Sequence, residues 1–548
     1  MLIRISSKYA VLIFFFILRS FTAVSQINES QNHEVYNYLY RMAQKGLVEW
    51  KDQNSPLDRK TILNALIFLQ TNLSELSKIE KIELKFYLKE FAFDSTEKIT
   101  NDKSYFKLFT NNRETRYRTL LIEENNNKLF LEPQFGVSHL SSNGKSNTTY
   151  FGGVRLAGYF GKHIGINFSF RDVTEKGDTI DYVKSFTNQQ GIVATGQTNN
   201  TLNYGSLNFN ASYKWNRGML TIGKDNLIFG YGMGGNIILS GKSPSFPFVL
   251  FNYTPWKWVH FNYFHGWLQS DVIDSAKSYN TGSGVAGSKR FIYRQKFIAN
   301  HSLIINPVKG LDIGIGESMV YSDKLNIGYL IPINFFKAYD HYTSDYAIES
   351  GSNAQFFALI SSKNQIKNTH LYAQIFVDEI KLSKIFNKKE SRNQLGYTIG
   401  FNRTDVLLNY LSIGVEYTRI NPFVYNNLIP TQTYASHSYS LGDWMGNNAD
   451  RIFVRIDYTP LPKLKLKAEF QKIRKGGAGN LQQQYNQQPQ PDFLFDKSFS
   501  YQEINASISY ELINTLKLFA KATRIKYEYP TLSSAKTGVN IGFSYSLY

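Results

Sequence analysis

From about residue 129 to Tyr548 the chain repeats short segments in which apolar and polar residues alternate. Ile164, Ile166, Phe168 and Phe170 share one face of a strand, because successive strand side chains point to opposite sides. The same frame runs through Leu207, Phe209, Ala211, Tyr213 and Trp215, and again through Leu411, Ile413, Val415 and Tyr417. It returns in Ile452 to Tyr458, Leu464 to Phe470 and Ile504 to Tyr510. The last segment sets Val539, Ile541, Phe543, Tyr545 and Leu547 against Asn540, Gly542, Ser544 and Ser546, and ends on aromatic Tyr548, one residue out of frame. Beyond residue 25 nothing approaches eighteen consecutive apolar residues, so no helix is expected to span a membrane. Closed strands can, since every backbone group then finds a partner. At roughly 20–25 residues per strand and connection, this length predicts 16 to 20 strands, an even number. The mean hydropathy of −0.32 agrees, because half of each barrel strand faces a polar lumen, and 15% aromatics suit two interfacial girdles.

The N-terminus places that barrel outside the inner membrane. Arg4 and Lys8 precede an apolar run from Tyr9 to Leu18, and Ala23-Val24-Ser25 offers small residues at the cleavage spacing, so residues 1–25 read as a signal peptide. The chain has no Cys, which excludes a disulfide, a thiolate metal site and a lipidated terminus. Removing residues 1–25 takes away Arg4, Lys8 and Arg19 and no acid, so the formal charge falls from +18 to +15. That surplus favours anionic partners: lipopolysaccharide phosphates or an anionic surface polysaccharide. Nucleic acid is not expected, because no recognised binding motif accompanies the charge.

Residues 26–94 differ in kind. Val35, Tyr38, Leu39 and Met42 recur at helical spacing. Ser55-Pro56-Leu57-Asp58 reads as an N-cap, a proline at the first helical position and an acid in the first turn, ahead of Ile62, Leu63, Leu66 and Ile67. Ser77-Lys78-Ile79-Glu80 is a capping box leading to an apolar face of Ile79, Ile82 and Phe86. Lys78, Glu80, Lys81, Glu83 and Lys85 read as a solvated face. So small a bundle is expected to dock on something larger, and its outer surface is open to periplasmic or envelope machinery. Residues 95–128 form a polar linker with room for a first hairpin near Arg116 to Ile122, and residues 129–548 form the barrel. Long polar stretches, Thr174 to Gly205, Ser275 to Arg290, Phe336 to Asn353 and Gly476 to Asp496, read as extracellular loops.

Five blocks in order resemble the capsule-assembly Wzi family, especially its longer Bacteroidetes-type members. They are Ile222 to Gly232 running into Asn236 to Pro247, Gly316 to Tyr321 leading to Leu330-Ile331-Pro332, Leu371 to Glu379, Glu416 to Tyr425, and Leu441 to Asp450. Lys224 and Phe229 stand where family members carry Arg and Trp. The resemblance covers residues from about 30 to 548. It implies a closed antiparallel outer-membrane β-barrel of about 18 strands, all-β and transmembrane, with a small periplasmic helical bundle at its N-terminus. It also implies a lectin-like task in attaching capsular polysaccharide, with no enzyme activity and no cofactor. The alternatives are an outer-membrane channel or surface-machinery subunit, and a barrel hydrolase.

Strand parity supplies the candidate binding residues. If Leu464, Leu466, Ala468 and Phe470 face lipid, then Lys463, Lys465 and Lys467 face the lumen, as do Arg451, Arg455 and Arg171. A polar lumen needs such residues in any case, and Glu416, Asp457 and Glu469 are the expected counter-charges. The sharper reading is a basic lining for an anionic glycan. Trp444, in the Gly- and Asn-rich stretch Gly442 to Asn448, is the candidate loop aromatic for stacking on sugar; Trp256, Trp258 and Trp267 read as girdle. Gly230-Tyr231-Gly232-Met233-Gly234-Gly235 has the spacing of a dinucleotide fingerprint but no following helix, so it reads as a bend in the barrel wall. The nine His form no metal pair, and Gly316-Glu317-Ser318 lacks the second Gly of a nucleophile elbow.

Overall fold

The structure is a computed structural model that describes residues 26–95, 104–110, 116–282, 287–343, 352–380, 382–384, 386–387, 389–480, 488–513 and 515–546. The expected signal peptide and the terminal Tyr548 lie outside the described residues. Eighteen antiparallel strands close into one barrel. In chain order they are β1 (Asn127–Ser142), β2 (Lys145–Phe160), β3 (Ile164–Gly177), β4 (Thr201–Trp215), β5 (Gly218–Asp225), β6 (Phe246–Trp256), β7 (Val259–Ile273), β8 (Tyr293–Val308) and β9 (Leu311–Ser322). The second half is β10 (Asn353–Lys363), β11 (Thr369–Ile380), β12 (Asn393–Arg403), β13 (Leu411–Ile420), β14 (Ala449–Leu461), β15 (Leu464–Lys475), β16 (Phe499–Ile513), β17 (Leu516–Glu528) and β18 (Ser533–Tyr545). Closure is made by Gly538–Tyr545 against Phe135–Ser142. A hairpin of Ser104–Thr110 and Arg118–Glu124 pairs beside the first residues of β1.

The alternation predicts the two faces. Val415, Ile452, Ile456, Ile504, Ile508, Val539 and Ile541 are all exposed on the outer wall, while Glu416 and Arg451 between them are buried inside. Trp256 and Trp258 stack at 5.9 Å on an exposed turn, a girdle position. Replacing Ile541 by Arg should cost about 2–4 kcal/mol near the bilayer midplane, against a smaller cost for Ser507→Arg on the inner face. Unfolding in lipid vesicles checks this, and equal penalties would contradict the assigned faces.

Three helices sit at the end of the barrel that carries the short turns: α1 (Val35–Gln44), α2 (Arg59–Thr71) and α3 (Lys78–Phe91). Val35, Leu39 and Met42 join Ile62, Leu66, Leu84, Tyr87 and Phe91 in one core. The capping box at Ser77 and Glu80 is formed. The second helix starts later than its sequence suggests. Asp58, not Ser55, is its N-cap and accepts from the Thr61 backbone N–H at 2.8 Å, because Asn54–Ser55 and Leu57–Asp58 are held in short strand pairings. On α3 the apolar face is Leu84, Tyr87 and Phe91, whereas Ile82 is exposed. Glu80 and Glu83, expected in solvent, are buried: Glu80 pairs with Arg41 and Lys45, and Glu83 accepts from the Tyr410 hydroxyl on the barrel. The helices therefore dock through charged groups, which an apolar-periodicity reading discards.

An ionic cluster fixes that docking. Arg59, fully buried, donates to both oxygens of Asp94 at 2.9 Å, to Glu90 at 3.1 Å and to Glu29. Glu29 also pairs with Arg155 of β2 at 2.9 Å, and Glu90 with Arg116 at 2.6 Å, while Arg118 reaches Glu132 of β1 at 2.9 Å. Gly165 of β3 lets the N-terminal segment approach, since a Cβ there would lie 1.7 Å from the Gln26 carbonyl oxygen.

The lumen is filled from the opposite end. The connection 226–245 enters the barrel, and its Ile228–Phe229 strand pairs on one side with Leu239–Ser240 and on the other with Asn54–Ser55 of the N-terminal segment. The connection 421–448 packs beside it. Phe229, Ile237, Ile238, Leu239, Tyr425, Tyr434, Leu441 and Trp444 form one apolar core with inward Phe248, Ile298, Phe357, Phe376 and Ile473 of the wall. The glycine run at 230–235 thus lies in a luminal plug and not in the wall. A Cβ on Gly234 would meet Arg451 Nε at 2.6 Å, and one on Gly235 would meet Asp443 Oδ2 at 2.5 Å, so glycine serves close approach there.

Candidate functional site

The plug is pinned by one charged knot. Arg451 grips Asp443 with two parallel bonds of 3.0 and 2.8 Å and lies 3.5 Å from Glu416. Glu416 in turn accepts from the Met233 and Gly234 backbone N–H groups at 2.7 and 3.2 Å and from the Tyr372 hydroxyl at 2.5 Å. The indole of Trp444 donates to the Gly234 carbonyl at 2.7 Å and packs on Phe186 at 5.0 Å. Arg451 and Trp444, expected to meet sugar, are both buried in this knot. A buried arginine with two carboxylate neighbours has its charge satisfied and none left for a ligand. Lys463 is placed elsewhere again: it sits in the β14–β15 turn, 4.4 Å over the Phe86 ring of α3.

The rest of the lumen, between the inner faces of β13–β18 and β1–β4, stays open as a cavity of about 760 Å³. Its wall brings together four of the predicted residues, Arg171, Arg455, Lys465 and Lys467, and adds Lys517 and Lys521 from β17. The last two were legible by the same parity: Leu518, Ala520 and Ala522 alternate with them. Tyr204, Gln189 and Gln190 line the cavity towards the long connections, and Tyr38, Tyr40 and Glu34 close it from the helical end.

The cations in this chamber are not equivalent. Lys465 and Lys517 clamp Glu34 at 2.9 and 2.5 Å, tying the start of α1 to the barrel. Burial alone would raise the Glu34 carboxyl, but these two ammonium groups outweigh it and hold it well below its ordinary 4.5. Arg455 is paired with Asp457 at 2.7 Å. Among the described residues no carboxylate pairs with Arg171, Lys467 or Lys521. Arg171 stands 5.5 Å from the Phe151 ring centre, and its Nε is buried with no hydrogen-bond partner. A chamber of this size falls within the range of small-ligand sites, and three cations without an ion pair among the described residues suit it to carboxylate or sulfate groups.

No acid, base and nucleophile come together at Ser318. It faces inward and accepts from Asn300 at 2.7 Å, while neighbouring Glu317 faces outward. His260 contacts Lys51 inside the barrel, and His265 contacts Tyr321 on the outer wall at 2.8 Å. Among the described residues no three His, Asp or Glu side chains group as a metal site.

The family described as capsule assembly protein Wzi matches residues 195–532. The chain belongs to the Wzi family. Among solved structures, Wzi of Escherichia coli, an outer membrane protein involved in group 1 capsule assembly and a carbohydrate-binding β-barrel, superposes with a TM-score of 0.57 at 11% identity. The match covers 96% of this chain and 100% of that one, which shows a shared fold. OccK5 (OpdH) of Pseudomonas aeruginosa aligns at a TM-score of 0.41 and 11% identity, over 77% of this chain and 99% of its own. OprD of the same organism aligns at 0.41 and 10%, over 76% and 94%. No curated protein sequence matches the chain. Family membership places this Wzi-type barrel in the outer membrane, with the short turns and the helices on the periplasmic side.

Proposed function

We propose that this Wzi-family barrel holds an anionic surface polysaccharide without transforming it, and that the sugar's acidic groups engage Arg171, Lys467 and Lys521 in the luminal chamber. The carrying observation is three cations on one cavity wall with no carboxylate partner among the described residues, beside Lys465, Lys517 and Arg455, which are each paired. The carbohydrate binding of the Escherichia coli relative supports the ligand class. The filled half of the lumen counts against the channel reading, since a pore gains nothing from an apolar core packed across it.

Reversing Lys465 would not test this cleanly, because it would also free Glu34 and loosen the helices. Lys467→Glu with Lys521→Glu leaves that clamp intact. Cells carrying the double variant should retain less labelled acidic capsule than the parent at equal barrel levels, and the parent's retention should weaken as salt rises, since exposed charges are screened within about 8 Å at physiological ionic strength. Unchanged, salt-independent retention would remove the chamber from the account.

A further inference from the structure

Parity places Glu317 on the outer wall. It stands opposite His301 in the β8–β9 register, in the frame of Leu303 and Ile315, which are 39% and 58% exposed. β9 is 12 residues long, about the length that crosses a bilayer at the usual tilt, and Glu317 is near its middle. A bare carboxylate there would face hydrocarbon. It is instead buried, because the connection after β9 folds back down the outside of the barrel. Glu317 accepts from the backbone N–H groups of Phe336 and Lys337 at 2.9 and 2.6 Å, which opens helix α4 (Phe336–Thr343). Phe336 stacks on His301 at 4.4 Å, His301 Nδ1 lies 3.1 Å from the Pro332 carbonyl, and the Tyr263 hydroxyl donates to the Tyr329 carbonyl at 2.9 Å. The underside of this flap thus completes a core with Tyr263, Phe297, Met319 and Tyr321 of the wall.

Its upper side is left apolar and open. Leu325, Ile327, Ile331, Ile333 and Phe335 are exposed, Ile333 at 85%. Lys324 and Lys337 are exposed, and Lys337 pairs with Asp340 at 3.5 Å. We propose that residues 323–343 are an in-plane membrane anchor whose exposed face lies among the acyl chains of the outer leaflet, held on the wall by Glu317. The acyl-chain occupant follows from continuity: the flap starts where the spanning strand ends, and its apolar face extends the lipid-facing surface of Ile315 and Leu303. Lys324, next to the end of the spanning strand, matches the phosphate level of such a leaflet.

The chain contains no Cys, so single thiols can be placed at will. Ile327→Cys and Ile333→Cys, each carrying an environment-sensitive fluorophore, would be reconstituted in phosphatidylcholine vesicles with and without bromine on the acyl chains. Ile315→Cys on the wall and Tyr279→Cys in an exposed extracellular connection are the references. Both flap labels should be quenched as strongly as the label at residue 315, with the label at 279 unaffected. Flap labels that behave like the one at 279 and are quenched by aqueous iodide would overturn the proposal. So would unquenched labels whose parent thiols cross-link two copies of the chain, which would make the face a protein interface.

Discussion

Replacing Arg451 by Met should release the plug while leaving the barrel closed. The substitution keeps an unbranched apolar stem but removes the guanidinium and leaves Asp443 and Glu416 buried together without their shared cation. Removing one member of a buried ion cluster costs about 3–5 kcal/mol, most of it from the charge left behind. Asp443 belongs to the connection 421–448, and Glu416 holds the Met233-Gly234 backbone of the connection 226–245. Both connections should therefore loosen together. Limited proteolysis from the extracellular side should cut within 421–448 in the variant and spare the parent, and planar-bilayer recordings should show current bursts that the parent lacks. Arg455→Met, the next arginine on the same strand face but outside the knot, is the control. If Arg451→Met is as protease-resistant and as silent as the parent, the knot does not hold the plug.

The second large effect is expected at Arg59. This side chain is fully buried and pairs with Glu29, Glu90 and Asp94, so Arg59→Met takes one cation from three acids at the joint between helices and barrel and leaves Asp94 with no ion pair among the described residues. A loss of about 3–5 kcal/mol is expected from the same physics. It should appear as proteolytic release of the helical segment from the periplasmic side, with the barrel still heat-resistant. The pH dependence has a definite sign. Burial would raise the Glu90 carboxyl, but Arg116, Arg118 and Arg59 outweigh it and hold it well below 4.5; Glu29 is lowered in the same way by Arg155 and Arg59. Carboxyls depressed in the folded state contribute stability that is present above about pH 4.5 and lost as the pH falls through their folded values. Helix docking should thus be flat across neutral pH and fail only in strong acid. Release near pH 6 would contradict the cluster.

The barrel was readable because lipid imposes a period of two on every spanning strand, and the frames at Ile452 to Tyr458 and Val539 to Tyr545 obey it. The same parity placed Arg171, Arg455, Lys465 and Lys467 inside. It could not say which of them would be spent on internal partners, because Lys465 meets Glu34 across 431 residues of chain. The plug was hidden for a related reason. Connections 226–245 and 421–448 have no periodicity of their own, and their apolar residues become a core only once the wall surrounds them. Trp444 therefore looked like an exposed loop aromatic. The Glu317 flap was hidden too, although a carboxylate in a lipid-facing frame was its visible signature.

The proposed function is selective retention of an acidic glycan by a closed barrel. The most direct measurement is equilibrium binding of the purified full chain, in detergent or nanodiscs, to a panel of matched acidic and neutral polysaccharides across a salt series. Acidic polymers should bind in preference to neutral ones of the same linkage, and their binding should fall as salt rises. Equal binding of neutral and acidic polymers, or binding to neither, would contradict it.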